Sequence, residues 1–196
     1  MNYLGHAFLS MNDGNILTGN IIGDYVKGKS VLEKYPEEIR RGILLHRKID
    51  SYTDAHPAVA RAKILFREMY HLYAGAIVDI LFDHFLANDP KYFSSEKALF
   101  NFSQQVYEQL EENSRYFPEK FVSFFPYMRS HNWLYGYRTL KGIGKSLKGL
   151  EHRSQHVPDI EDAYKIFVSN YYQLTQCYYE FIGDVFSYVK VELSEP

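Results

Sequence analysis

The chain has 196 residues, 46% of them apolar, with 18 Tyr and 14 Phe, which is enough for one ordinary domain with a full hydrophobic core and excludes a disordered class. A net charge of −2 excludes a nucleic-acid binder recognised by bulk charge. The single cysteine, Cys177, excludes an internal disulfide framework and a multi-cysteine metal site, and favours a reducing compartment.

The first residues, MNYLGHAFLSMNDGN, carry no basic leader and no long apolar run. No stretch reaches the roughly 20 apolar residues of a spanning helix, so the reading is a soluble cytoplasmic protein without a membrane partner. His6 stands in the apolar YLGHAFL, and Asp24 stands among apolar and glycine residues in GNIIGDYVKG. Pro36, with Glu37 and Glu38 behind it, predicts a helix running to Asp54. Pro57 opens another in HPAVARAKILFREM, which leaves Asp54 as a helix-end or turn residue and His56 as a neighbour of the cap. HLYAGAIVDILFDHFLAND reads as a buried helix. SSEKALFNFSQQVYEQLEEN starts a further one behind its serines. Asp159 is a plausible cap for a last helix of about eight turns, with a break near Gly183. Short loops near 88–94, 115–119 and 153–159 suggest no second domain. The expected architecture is therefore an all-α bundle of seven to nine helices in one domain, residues 1–196.

Two of these helices carry polar groups on the face that should be buried. At 100° per residue, Ile39, Ile43, His46, Asp50 and Thr53 fall in one narrow sector of the helix from Pro36 to Asp54. Burying an unpaired carboxylate is costly, so Asp50 needs a cation or a dense set of hydrogen bonds. An i, i+4 pair such as His46 and Asp50 aims two ligands at one point. Asp79 and Asp83 repeat the spacing on a face shared with Gly75, Ala76 and Leu86, while His84 points about 100° away. If these groups converge, the site holds imidazole and carboxylate without thiolate. Such a set suits Mn²⁺, Mg²⁺ or Fe²⁺ and permits Zn²⁺. Metal-assisted phosphoester hydrolysis is the natural reaction class. A satisfied internal His–Asp pair remains the structural alternative.

A basic stripe follows. YRTLKGIGKSLKGLEHRS carries Arg138, Lys141, Lys145, Lys148 and Arg153, the lysines at helical spacing, whereas residues 159–196 are acidic. Glycines at 142, 144 and 149 should make the stripe partly loop-like. It reads as a solvated face or as a docking patch for an acidic or phosphorylated partner.

The blocks GNIIGDYVKG, GILLHRKIDSYTDAHP, DILFDHFLAND and NWLYGYRTLKGIGKSL together resemble the acyl carrier protein phosphodiesterase family, in order, from the first residues to about Arg153. The resemblance implies an all-helical fold distantly similar to HD-type metal phosphohydrolases. It implies hydrolysis of the 4′-phosphopantetheine–serine linkage of holo-acyl carrier protein, with Mn²⁺ as the preferred metal. Carried onto this sequence, it makes Asp24, His46, Asp50 and Asp83 candidate metal ligands, with Asp79 as a further one. His6, Asp54 and His84 are candidate catalytic groups, and His6 or His84 could protonate the departing serine oxygen. Arg47 could reach a phosphate, and Arg138, Lys141, Lys145 and Lys148 would face the acidic carrier protein. The adjacent pair reads Asp83–His84 rather than His–Asp, and LANDPKYF stands where the family often has Trp. Two alternatives stay open: a hydrolase of small phosphoesters, and a non-catalytic helical binding protein.

Overall fold

The computed structural model describes residues 1–153 and 158–194. Its described residues form helices and no strand. These are α1 (Tyr3–Phe8), α2 (Gly14–Ile22), α3 (Lys29–Leu32), α4 (Glu37–Ala55), α5 (Pro57–Tyr70), α6 (Ala74–Ala87), α7 (Glu96–Glu112), α8 (Glu119–Ser130), α9 (Trp133–Gly136), α10 (Leu140–Arg153), α11 (Ile160–Ser169) and α12 (Tyr171–Ser194), with 3₁₀ turns at Gly23–Tyr25, His71–Tyr73 and Ser114–Tyr116. Nine of the α-helices have nine or more residues, which matches the expected number.

Local chemistry sets the boundaries. Glu37 and Glu38 occupy the first turn of α4, where the helix dipole favours negative charge. Pro57 opens α5, and the side chain of His56 accepts from the Ala58 amide. Ser95 caps α7 through the Ala98 amide, and Asp159 caps α11 through the Glu161 amide.

Two expectations give way. The last helix breaks at Asn170, not at Gly183. The Asn170 amide and side chain both bond back to Ile166, closing α11 before α12 begins. The backbone of α12 then runs through Gly183 without interruption. The three glycines of α10 do not unwind it, because Ile143, Leu147 and Leu150 bury one face and tertiary packing outweighs propensity. Residues 154–157, within the loop expected at 153–159, lie outside the described residues, as does the side chain of Arg153.

One contiguous core holds the elements together, centred on α6, where Ile77, Val78, Leu81, Phe82 and Leu86 are fully buried. The contact that matters most for function is between α2 and α4. A Cβ at Gly19 would lie 2.1 Å from the Ile39 carbonyl, and one at Gly42 would lie 2.3 Å from the Ile16 carbonyl. Only glycine permits this backbone approach. The approach carries the end of α2, and the turn that follows it, onto the side of His46.

Candidate metal centre

Four side chains from three segments meet on the face of α4. His6 comes from α1, Asp24 from the 3₁₀ turn after α2, and His46 and Asp50 from α4. The imidazoles of His6 and His46 stack with centroids 4.2 Å apart. Asp50 bridges them: one oxygen lies 3.2 Å from His6 Nε2 and the other 3.2 Å from His46 Nε2. Asp24 Oδ1 lies 3.3 Å from the same His46 nitrogen. The backbone of Gly23 presses against the His46 ring, where a Cβ would fall 2.4 Å from it.

Behind the rings, Asn20 fixes both of them. His46 Nδ1 donates to the Asn20 carbonyl at 2.7 Å. The Asn20 amide nitrogen donates to the His6 carbonyl and to Ser10 Oγ, so its Oδ1 faces His6 Nδ1 and accepts from it at 2.7 Å. Both rings thus carry their hydrogen on Nδ1 and turn Nε2 toward the carboxylates. Neutral imidazoles would then aim two lone pairs at acceptors, so the arrangement calls for a proton or a cation between them. His6, His46 and Asp50 offer ligand atoms within 4.8 Å of one another and could hold a metal ion. Two imidazoles with carboxylates suit divalent first-row ions.

The rings are buried, whereas the side chains of Asp50 and Asp24 are 42% and 76% exposed, so the cluster opens to solvent on its carboxylate side. Burial disfavours charge on His46, but the hydrogen bonds with Asp24 and Asp50 outweigh it and raise its pKa to about 9. Burial and then the neighbouring His46 push His6 the other way, downward. Asp50 resists burial through its hydrogen bonds to His46 and His6 and sits well below the usual carboxylate range. Asp24 is lowered mainly by its hydrogen bond to His46.

The other sequence candidates lie elsewhere. Asp83 is fully buried and accepts from the amides of Asn2, Leu4 and Gly5, so it anchors the start of α1 from behind instead of joining the cluster. Burial drives its carboxyl up to about 7 against the pull of the terminal ammonium and these amides. Asp79 pairs with the Met1 ammonium at 2.8 Å. His84 is buried on the far side of α6, donating from Nδ1 to the Tyr137 carbonyl, with Nε2 3.0 Å from the Tyr171 hydroxyl. Asp54 pairs with Lys63 at 2.6 Å on the surface. The i, i+4 spacing of Asp79 and Asp83 is real, but the Met1 ammonium and the amides of Asn2, Leu4 and Gly5 meet that face. Arg47 is turned to the Val26 carbonyl at 2.9 Å, where it fastens the segment after Asp24. Arg138 leaves the stripe to pair with Glu96 and lie over the Tyr135 ring. Lys141, Lys145 and Lys148 stay exposed on α10. Asn20 is the organising residue that the sequence reading missed. Its signal was an amide in an otherwise apolar run four residues before Asp24.

No helix among the described residues is long and apolar enough to cross a membrane. No solved structure matches the chain. Three curated relatives carry the name acyl carrier protein phosphodiesterase. The one from Photorhabdus laumondii is 30% identical over 181 residues, 92% of this chain and 91% of its own. That from Enterobacter sp. (strain 638) is 30% identical over 181 residues, 92% and 93%. That from Serratia proteamaculans is 29% identical over 190 residues, 97% and 98%. The family described as acyl carrier protein phosphodiesterase matches residues 1–185, which take in the whole cluster, the anchoring Asp83 and the lysines of α10, and the chain belongs to that family.

Proposed function

We propose that residues 1–196 form one hydrolase domain, a divalent-metal-dependent phosphodiesterase that cleaves the 4′-phosphopantetheine–serine linkage of holo-acyl carrier protein and leaves apo-acyl carrier protein. The observation that carries this reading is the cluster of His6, Asp24, His46 and Asp50, whose Nε2 lone pairs and carboxylates converge with no hydrogen of their own between them when the rings are neutral. A bound divalent ion supplies an acidified water and neutralises charge on a phosphoryl oxygen. His46 and His6 bind it through Nε2, with Asn20 holding both rings in the ligating tautomer. Asp50 spans the two rings, and Asp24 completes the open side. Mn²⁺ is the metal we assign, in keeping with the family resemblance. Mg²⁺, Fe²⁺ and Zn²⁺ share the donor preference.

The carboxylate side of the cluster faces solvent, which a macromolecular phosphodiester requires. Lys141, Lys145 and Lys148 present positive charge on one face of α10. That face suits an acidic carrier protein and would mainly raise its rate of encounter.

The test is mass spectrometry of holo-acyl carrier protein incubated with the protein and Mn²⁺, with and without chelator, beside Asp50→Asn. Metal-dependent loss of the phosphopantetheine mass, abolished in a folded Asp50→Asn, is expected. No loss with any of the four metals overturns the assignment of substrate.

A further inference from the structure

We propose that the cavity between the first turn of α1, α9 and α10 receives the pantetheine arm of the substrate. This inference rests on the phosphodiesterase reading and adds the subsite that reading lacks.

The cavity has a volume of about 410 Å³, within the range of small-molecule sites. Its lining is mixed. Trp133 and Tyr3 bring aromatic rings, Ser146 and Thr139 bring hydroxyls, and Lys141 and Lys145 are exposed lysines of the lining. A pantetheine arm matches this chemistry: two amides and a hydroxyl to hydrogen-bond, and a dimethyl-bearing carbon to lie against rings, with the phosphate itself left at the cluster.

The way α10 is laid down keeps the space empty. At 100° per residue, Lys141, Gly142, Lys145, Ser146 and Gly149 span an arc of about 140°, with Gly149 near its middle. Ile143, Leu147 and Leu150 take the buried side. A Cβ at Gly149 would meet nothing within 4 Å, and neither would one at Gly136 on the facing segment.

The cavity also lies beside the metal centre. Asn2 and Tyr3 line it, and His6 follows on the same helix about 4.5 Å further along the axis. The Tyr3 hydroxyl is 2.9 Å from that of Tyr25, the residue after Asp24. A phosphodiester at the cluster would therefore have its protein side toward the exposed carboxylates and its slender side toward this cavity.

Trp133 is the chain's single tryptophan, so its fluorescence reports on the cavity. The full chain is titrated with pantetheine, with 4′-phosphopantetheine and with inorganic phosphate, and Gly149→Phe is run alongside. A saturable fluorescence change is expected with the first two ligands but not with phosphate. Gly149→Phe should abolish that change and raise KM for holo-acyl carrier protein at least tenfold while leaving Mn²⁺ affinity unchanged. If Gly149→Phe does not fold, Ser146→Tyr takes its place, and the titration of the unaltered chain stands by itself. A change reproduced by phosphate alone overturns the proposal. So does phosphopantetheine release by a folded Gly149→Phe with unaltered KM. Should the unaltered chain release nothing yet bind pantetheine in a way that Gly149→Phe abolishes, the cavity assignment stands and the phosphodiesterase reading falls.

Discussion

The side-chain oxygen of Asn20 accepts from His6 Nδ1, while its backbone carbonyl accepts from His46 Nδ1, both at 2.7 Å. One residue therefore sets the tautomer of two candidate ligands, and only one of the two bonds depends on its side chain. Asn20→Ala should free His6 to rotate while His46 keeps its acceptor. Metal affinity is expected to fall by about 10–100-fold, the usual cost of losing such a supporting partner. His6→Ala in the same background should then cost little more. Calorimetric titration with Mn²⁺ on the single and double variants checks this, and full additivity of the two losses would contradict it.

Asp83→Asn separates anchoring from ligation. The carboxylate satisfies three amides at the start of α1, and an amide group in its place would turn a donor toward at least one of them. The expected loss is about 2–3 kcal/mol of stability, or roughly 4–12 °C in melting temperature for a chain of this size. Asp50→Asn, by contrast, should remove metal binding with a smaller change in melting. Melting curves with and without Mn²⁺ distinguish the two. An Asp83→Asn protein that melts normally but binds no metal would make Asp83 a ligand after all.

The pH dependence of the metal-free protein follows from His46. Its folded pKa, about 9, is raised above the unfolded value, so the stability it contributes is fully present below pH 6.5 and lost as pH rises through 9. Asp24 and Asp50 are depressed, so their contribution is present above about pH 4 and lost as pH falls. His6 is lowered, which opposes the His46 contribution below pH 6.5. The chelated protein should therefore lose melting temperature between pH 6.5 and 9.5, and His46→Gln should flatten that slope. Metal binding should release a proton at pH 7.5, measurable as a dependence of the calorimetric heat on buffer ionisation enthalpy.

Lys148 lies on the exposed face of α10 but does not line the cavity. Lys148→Glu should raise KM for holo-acyl carrier protein several-fold at low salt, with kcat unchanged. The defect should shrink as ionic strength rises and the Debye length falls to a few ångströms. A salt-independent defect would assign Lys148 a direct contact instead of a steering role.

The helices were legible because their caps and spacings are local. Pro57 marks a start by its fixed φ, and Ser95 and Asp159 each do so through a bond made within one turn. The line Ile39, Ile43, His46 and Asp50 was legible for the same reason: a wheel shows which side chains share a face. A wheel does not show what that face meets. Asp79 and Asp83 have the spacing of His46 and Asp50, but Met1, Asn2, Leu4 and Gly5 supply them with donors from across 78 to 81 residues of chain, a relation no local pattern records. Asn20 escaped for the converse reason. Its bonds run to His6 and His46, 14 and 26 residues away.

α1 has six residues, far fewer than a helix needs to hold itself in water. What keeps it in place is borrowed: Asp83 at its start, Asn20 and Asp50 at His6. It is also a wall of the cavity through Asn2 and Tyr3. An ion at His6 and a ligand in the cavity would thus both bear on one short, dependent segment. By reciprocity, any effect an ion there had on the affinity of the cavity would be matched by the effect of a cavity ligand on the affinity for the ion.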